Sequence, residues 1–140
     1  MRANLLSVLV FSLLLASSPV LAHHSFAAEF DQKSPLTLTG VVTKVELENP
    51  HVFFYLDVKG QDGKVTNWAF ECGSPNILYR QGWKRDTVKP GDTLTVTAYR
   101  AKDRSNLAGA RVITMPDGRV VFGGNPGDGG PGIGGGGPYK

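Results

Sequence analysis

The stretch that decides the fold is Pro35-Leu36-Thr37-Leu38-Thr39-Gly40-Val41-Val42-Thr43-Lys44-Val45-Glu46-Leu47. Up to Thr39, leucine and threonine alternate with the period of a β-strand. After Gly40 the alternation shifts, which predicts that the odd-numbered residues from Val41 to Leu47 share one face. A glycine at such a shift is typical of a β-bulge. A long first strand with a bulge curls a sheet towards a barrel.

The remainder of the chain reads as short strands separated by turns and one short helix. Ser74 and Pro75 are typical of a helix N-cap and first-turn proline, and Gly82 is a suitable helix stop. Because this helix has only about two turns, it needs support from the sheet. The predicted strands are 36–47, 51–58, 64–71, 93–100, 108–115 and 119–122.

This order predicts an all-β protein. Three strands, a short helix and two further strands follow the order of a five- to six-stranded OB-like Greek-key barrel. An antiparallel β-sandwich is the alternative, and the helix between strands three and four favours the barrel. We expect the barrel over residues 36–122, after an extended lead-in over 23–35. The Gly- and Pro-rich residues 123–140 predict a disordered tail, because they have little to bury.

Residues 1–22 have the pattern of a secretory signal peptide. Arg2 precedes an apolar run, and Val20 and Ala22 fit the −3 and −1 positions of a cleavage site. Cleavage after Ala22 predicts a periplasmic or secreted protein that starts at His23 and has no membrane span after the leader is removed.

Charge and cysteine content argue against several classes of function. Loss of Arg2 with the leader lowers the formal net charge from +3 to +2, which does not indicate a nucleic-acid partner. Cys72 is the only cysteine, so an internal disulfide is excluded. The sequence has no Gly-x-Ser-x-Gly elbow and no pair of carboxylates at catalytic spacing. We therefore expect a binding module rather than an enzyme, with no catalytic residues.

The histidines give the sharpest chemical prediction. An N-terminal His23 offers its amine and its imidazole Nδ1 to one metal ion, and His51 is a candidate third nitrogen, because it follows the loop between the first two strands. Three nitrogens in a T-shaped arrangement suit copper. A second mode uses the amine, the intervening amide nitrogen and the imidazole of His24. Both modes need a free N-terminus and deprotonated ligands.

A metal-free module is the alternative hypothesis. It uses Asn49 in the first loop, the outward-facing Phe53 and Tyr55, and Trp83 after the helix to bind an unidentified small ligand or a periplasmic protein. A fold of this type does not by itself select between these ligands.

Several short motifs occur here in a fixed order and resemble those of an uncharacterised family of exported bacterial proteins, a domain of unknown function. The resemblance covers nearly all of residues 22–122, leaves out the Gly-rich tail, and implies no activity. The motifs are His23-His24-Ser25-Phe26-Ala27-Ala28-Glu29-Phe30-Asp31, Gly40-Val41-Val42, Glu48-Asn49-Pro50-His51, Ser74-Pro75-Asn76, Gly82-Trp83 and Lys89-Pro90-Gly91-Asp92.

Overall fold

A computed structural model describes residues 26–125 of the chain. The predicted signal peptide, His23, His24 and the tail beyond Asn125 lie outside these residues. No helix within the described range has the length and apolar character needed to cross a membrane. The elements are α1 (Phe26–Glu29), β1 (Phe30–Glu46), β2 (Phe53–Lys59), β3 (Val65–Glu71), α2 (Pro75–Arg80), β4 (Thr93–Ala101), β5 (Leu107–Thr114) and β6 (Val120–Phe122).

Five of the strands close into a ring. The sheet order is β3-β2-β1-β4-β5-β6, and a parallel pairing of β3 with β5 joins the two sides. This pairing runs from Ala69 opposite Leu107 to Glu71 opposite Gly109. The ring and the helix between β3 and β4 confirm the predicted OB-like barrel, and β6 extends β5 outside the ring.

The first strand is long, as predicted, and it pairs with both β2 and β4, but its bulge is not at Gly40. The register against β2 shifts between Val42 and Lys44, so the irregularity lies at Thr43. The inward residue is Val42, which is 2% exposed, whereas Val41 is 44% exposed. The prediction that Val41 and Thr43 share the inner face was therefore wrong.

Gly40 has a different role from the one expected. A Cβ atom at this position would lie 2.6 Å from the backbone oxygen of Asp57 and 3.0 Å from Cγ2 of Val58. The glycine thus allows β2 to approach β1 closely, while the change of phase is made three residues later.

The barrel interior is apolar and follows the predicted faces of β2 and β4. Phe54 and Phe70 stack with their ring centroids 5.2 Å apart. Trp68 is only half-buried and packs against this core, with the Arg100 guanidinium 5.4 Å from its ring. The predicted inward residues Val52, Phe54, Leu56, Val58, Leu94, Val96 and Ala98 are all buried.

The helix after β3 begins as predicted. The Ser74 hydroxyl caps it by accepting a hydrogen bond from the Ile77 amide, and Pro75 occupies the first turn. Leu78 is buried against the barrel. Gly82 then adopts a φ of 98°, in the left-handed region that favours glycine, and ends the element.

Both ends of the barrel extend beyond the predicted limits of 36 and 122. Residues 26–29 form a helical turn, and β1 already begins at Phe30. At the other end, the Gly123 amide donates to the Arg111 carbonyl, and its own carbonyl accepts from the Gly73 amide. Backbone pairing therefore continues past Phe122.

Candidate functional site

A cleft of about 650 Å³ opens next to the loop between β1 and β2. Several separate parts of the chain form its walls, so it exists only in the folded barrel. They are α1 with the start of β1, the loop residues 49–51, the end of β3 with Cys72, the start of α2, and residues near Ala110 and Gly124.

One wall carries a histidine–carboxylate pair. His51 precedes β2 and Glu71 ends β3, and the register places Phe53 directly opposite Glu71. Since His51 and Phe53 have the same strand parity, all three side chains lie on the outer face. Nδ1 of His51 is in contact with Oε1 of Glu71, and the two side chains are 27% and 12% exposed.

Backbone hydrogen bonds hold this pair in place. The Val52 amide donates to the Gly73 carbonyl over 3.1 Å, and the Cys72 amide donates to the Val52 carbonyl over 2.8 Å. The β2–β3 pairing therefore continues beyond the ends of the two strands, and it fixes the backbone on both sides of the His51–Glu71 contact.

Another part of the wall is built around Phe26. Its ring centroid lies 4.8 Å from that of Phe30 and 6.0 Å from that of Tyr99, and the Arg111 guanidinium lies 5.2 Å from its centre. Gly109 lies beneath it, because a Cβ atom there would overlap with the Phe26 ring. These contacts form a small second core with Ala101 and Leu107 outside the barrel.

Loop 102–106 ties down the end of α1. The Lys102 amide donates to the Glu29 carbonyl over 2.9 Å, and Lys102 Nζ donates to the Ala27 carbonyl over 2.6 Å. Phe26 and the backbone of α1 are thus both attached to the barrel, and this fixes the first residue of the described chain.

The cleft has an acidic lining. Glu29 and Glu71 contribute carboxylates, whereas the described lining residues include no lysine or arginine. Arg111 is nearby but is 2% exposed, with its guanidinium between the rings of Phe26 and Phe122. Burial does not remove the charge of Arg111, so the cleft has two carboxylates in its lining and one guanidinium behind its wall.

Cys72 lines the cleft but is not a suitable nucleophile. It is 4% exposed, and burial together with the neighbouring Glu71 carboxylate raises the pKa of its thiol. The reactive form of cysteine is the thiolate, which this environment disfavours.

The other predicted site residues lie in three different places: the cleft wall, the outer face of β2 and the main core. Asn49 lies in the cleft wall next to His51, and Phe53 and Tyr55 continue along the same outer face of β2. Tyr55 donates to Glu46 over 2.8 Å, and this hydrogen bond raises the pKa of the Tyr55 hydroxyl. Trp83 is 5% exposed in the main core, where Nε1 donates to the Phe122 carbonyl over 2.9 Å.

Two residues of the site were missed in the sequence. From the sequence alone, Glu71 is interpreted as a solvated strand carboxylate. The hairpin turn at 60–63 sets a register that places it across from Phe53. Phe26 reads as part of a polar lead-in. Its docking depends on Tyr99 and Gly109, which are more than seventy positions away and carry no local signal.

Within residues 26–125, no three His, Cys, Asp or Glu side chains are grouped in a way that would hold a metal ion. The described part of the cleft offers a metal the single imidazole of His51, supported by Glu71. Any further nitrogen ligand would have to come from outside this range.

Comparison with known proteins places the chain in a family without assigning an activity. No curated protein matches it. The sequence model of one family, described as a family of unknown function, matches residues 10–110, from within the predicted leader to β5 residue Ala110. The chain therefore belongs to the family of unknown function DUF6152.

Proposed function

We propose that the protein is an exported copper-binding module whose site forms when cleavage after Ala22 frees the amine of His23. In this proposal His23 supplies its amine and its imidazole, and His51 supplies a third nitrogen from the cleft wall. The protein acts in the periplasm or outside the cell as a binding module and not as an enzyme.

One observation carries this proposal: Phe26 and His51 line the same cleft. His23 precedes Phe26 by three residues, and an extended chain advances at most about 3.6 Å per residue, so the new amine lies within roughly 11 Å of the Phe26 backbone. The anchoring of Phe26 thus keeps the N-terminal nitrogens close to the cleft that contains His51.

Two carboxylates in the walls of the cleft can help to hold a cation. Glu29 and Glu71 lie in its walls without a lysine or arginine among the described lining residues. Among metal ions, Cu(II) favours nitrogen ligands in a tetragonal arrangement, and a terminal amine with two imidazoles supplies three such nitrogens.

The test compares two forms of the secreted protein. One begins at His23 with a free amine, as verified by intact mass, and in the other this amine is acetylated, which blocks the chelate between the amine and the His23 imidazole. We expect one Cu(II) ion per chain in the first form and at least about tenfold weaker binding in the second, a loss of about 1.4 kcal/mol or more. Titration calorimetry would measure the stoichiometry and the affinity of the two forms, and electron paramagnetic resonance would report the copper ligands. Equal weak binding by the two forms would overturn the proposal.

Two further variants separate the modes of binding. If His51 is a ligand, His51→Ala changes the copper spectrum and weakens binding, while His24→Ala has little effect. If copper is instead held by the amine, the intervening amide and His24, His24→Ala changes the copper spectrum and weakens binding, while His51→Ala has little effect. An unchanged spectrum in His51→Ala would remove His51 from the site.

A metal-free binding module is the second candidate function. It is favoured by the apolar part of the cleft wall, where Phe26, Phe30 and Ile77 lie, and by Phe53 on the adjoining outer face. A small organic amine with an apolar body fits such a cleft with acidic residues. In this case, amide signals of Asn49 and Phe53 would shift on addition of small amines to copper-free protein, and the mature form and the form with an acetylated His23 amine would respond alike.

A further inference from the structure

We propose that Glu71 is a positioning residue for His51. It holds the imidazole as the Nδ1–H tautomer, so that Nε2 is the nitrogen presented to a metal in the cleft. The first half of this inference concerns the metal-free protein, and the second half rests on the proposed copper site.

The tautomer follows from the atoms in contact. Nδ1 of His51 meets Oε1 of Glu71. An ionised carboxylate only accepts hydrogen bonds, so Nδ1 must carry the proton that is donated. In the neutral imidazole, Nε2 then keeps its lone pair, which is the form that binds a metal.

Glu71 is well placed to impose this arrangement because its own position is fixed from both sides. It pairs with Phe53 of β2 and with Gly109 of β5, at the place where β3 closes the ring. Its side chain is also the less exposed of the pair, 12% against 27% for His51. The carboxylate is therefore the fixed partner, and the imidazole aligns to it.

The contact at Nδ1 also determines the direction in which Nε2 of His51 can bind a metal. In an imidazole, the two nitrogens point in different directions, so a contact at Nδ1 fixes where Nε2 points. Metal-binding histidines commonly donate their second ring N–H to a carboxylate, which orients the ring and raises its basicity. A copper ion held by the N-terminal nitrogens would then meet a ligand that is already oriented.

The first test needs no metal. Two-dimensional ¹H–¹⁵N correlation spectra of the histidine rings, with His51 assigned from a His51→Gln variant, report the tautomer in copper-free mature protein. We expect Nδ1–H in the native chain and in Glu71→Gln, whose amide oxygen still accepts a hydrogen bond. In Glu71→Ala we expect the Nδ1–H preference to be lost. An Nε2–H tautomer in the native chain, or an unchanged Nδ1–H tautomer in Glu71→Ala, would overturn the inference.

The second test adds Cu(II) and measures affinity together with the pulsed paramagnetic resonance signal of the remote imidazole nitrogen. We expect binding of His51 through Nε2, a roughly 10- to 100-fold loss of affinity in Glu71→Ala, and a smaller loss in Glu71→Gln. Coordination through Nδ1, or equal affinity in all three proteins, would contradict the positioning role. A native chain that binds no copper would instead overturn the proposed function, and the tautomer measurement would still decide the role of Glu71. Circular dichroism shows whether each variant is folded.

Discussion

At the scale of single residues, the contact between Phe26 and Gly109 leaves no room for a side chain at position 109. An alanine Cβ at 109 would overlap with the Phe26 ring and lie 3.0 Å from Cδ2 of Phe30. Neither residue has an obvious role in the sequence, yet together they determine where the chain enters the barrel.

We therefore expect Gly109→Ala to destabilise the protein by about 1–3 kcal/mol, the usual cost of overpacking. In a Phe26→Ala background the overlapping ring is absent, so the same change should cost about 1 kcal/mol less, as is usual for residues in contact. Urea unfolding of the native chain, both single variants and the double variant measures this coupling. Additive losses would show that Phe26 does not occupy the space above Gly109.

Cys72 gives a prediction about pH. Its thiol has a raised pKa in the folded protein, because it is buried and next to Glu71, whereas an unfolded chain ionises it near pH 8.5. The folded state therefore holds the proton more tightly. This contribution to stability is fully present below about pH 8.5 and is lost as the pH rises above that value.

We expect the free energy of unfolding to fall between about pH 9 and pH 10 by up to about 1.4 kcal/mol per pH unit from this group. Denaturant titrations at several pH values measure the slope, and the Cys72→Ala variant is the control that should lack it. Equal slopes in the two proteins would mean that the thiol is not shielded in the fold.

At the scale of elements, β1 shows what a sequence pattern resolves and what it does not. The alternation of Leu36 to Thr39 correctly predicts a strand, and the shift in phase correctly predicts a bulge. The pattern does not locate it, because Gly40 and Thr43 both lie within the shifted stretch, and only pairing with β2 identifies Thr43. A glycine that permits close approach and a glycine that forms a bulge look the same in one sequence.

The role of Gly40 can be tested through its contact with β2. We expect Gly40→Ala to destabilise the protein by about 1–3 kcal/mol, since the new Cβ would lie 2.6 Å from the Asp57 carbonyl oxygen, which belongs to the backbone and has little room to move. Thr37→Ala, an exposed change on the same strand, is a matched control and should cost less than about 1 kcal/mol. Thermal and urea unfolding measure both, and equal effects would contradict the close-approach role.

At the scale of the whole molecule, the fold was predictable because the strands show the two-residue alternation of β-structure and the turns contain residues typical of turns. The site was predictable only in part. His51 and Asn49 were identified from the loop between the first two strands, and both lie in the cleft. Glu71 depends on strand register, and Phe26 depends on contacts with distant residues, so single-sequence patterns do not reveal them. Trp83 was expected at a ligand site, but its ring lies in the core.

The proposed copper site predicts a change in overall stability. It would join the entering chain to the start of β2, and a ligand that binds only the folded state adds a free energy of about 2.7 kcal/mol at 100 times its dissociation constant. We expect Cu(II) at that excess to raise the unfolding free energy of the mature protein by this amount, with reversal by a chelator. The form with an acetylated His23 amine is the control and should gain much less, and equal gains in both forms would point to copper bound elsewhere.

The contact of Phe26 with Gly109 also has a consequence for evolution. An aromatic ring that occupies the space of a missing side chain ties two distant codons together, because the glycine can gain a side chain only after the ring has been lost. Across DUF6152 we therefore expect glycine at the position of Gly109 wherever the N-terminal segment keeps its phenylalanine, and larger residues there only in members that have lost it. In such members the N-terminus would no longer be attached beside the cleft, and the chemistry of their first residues would be free to diverge.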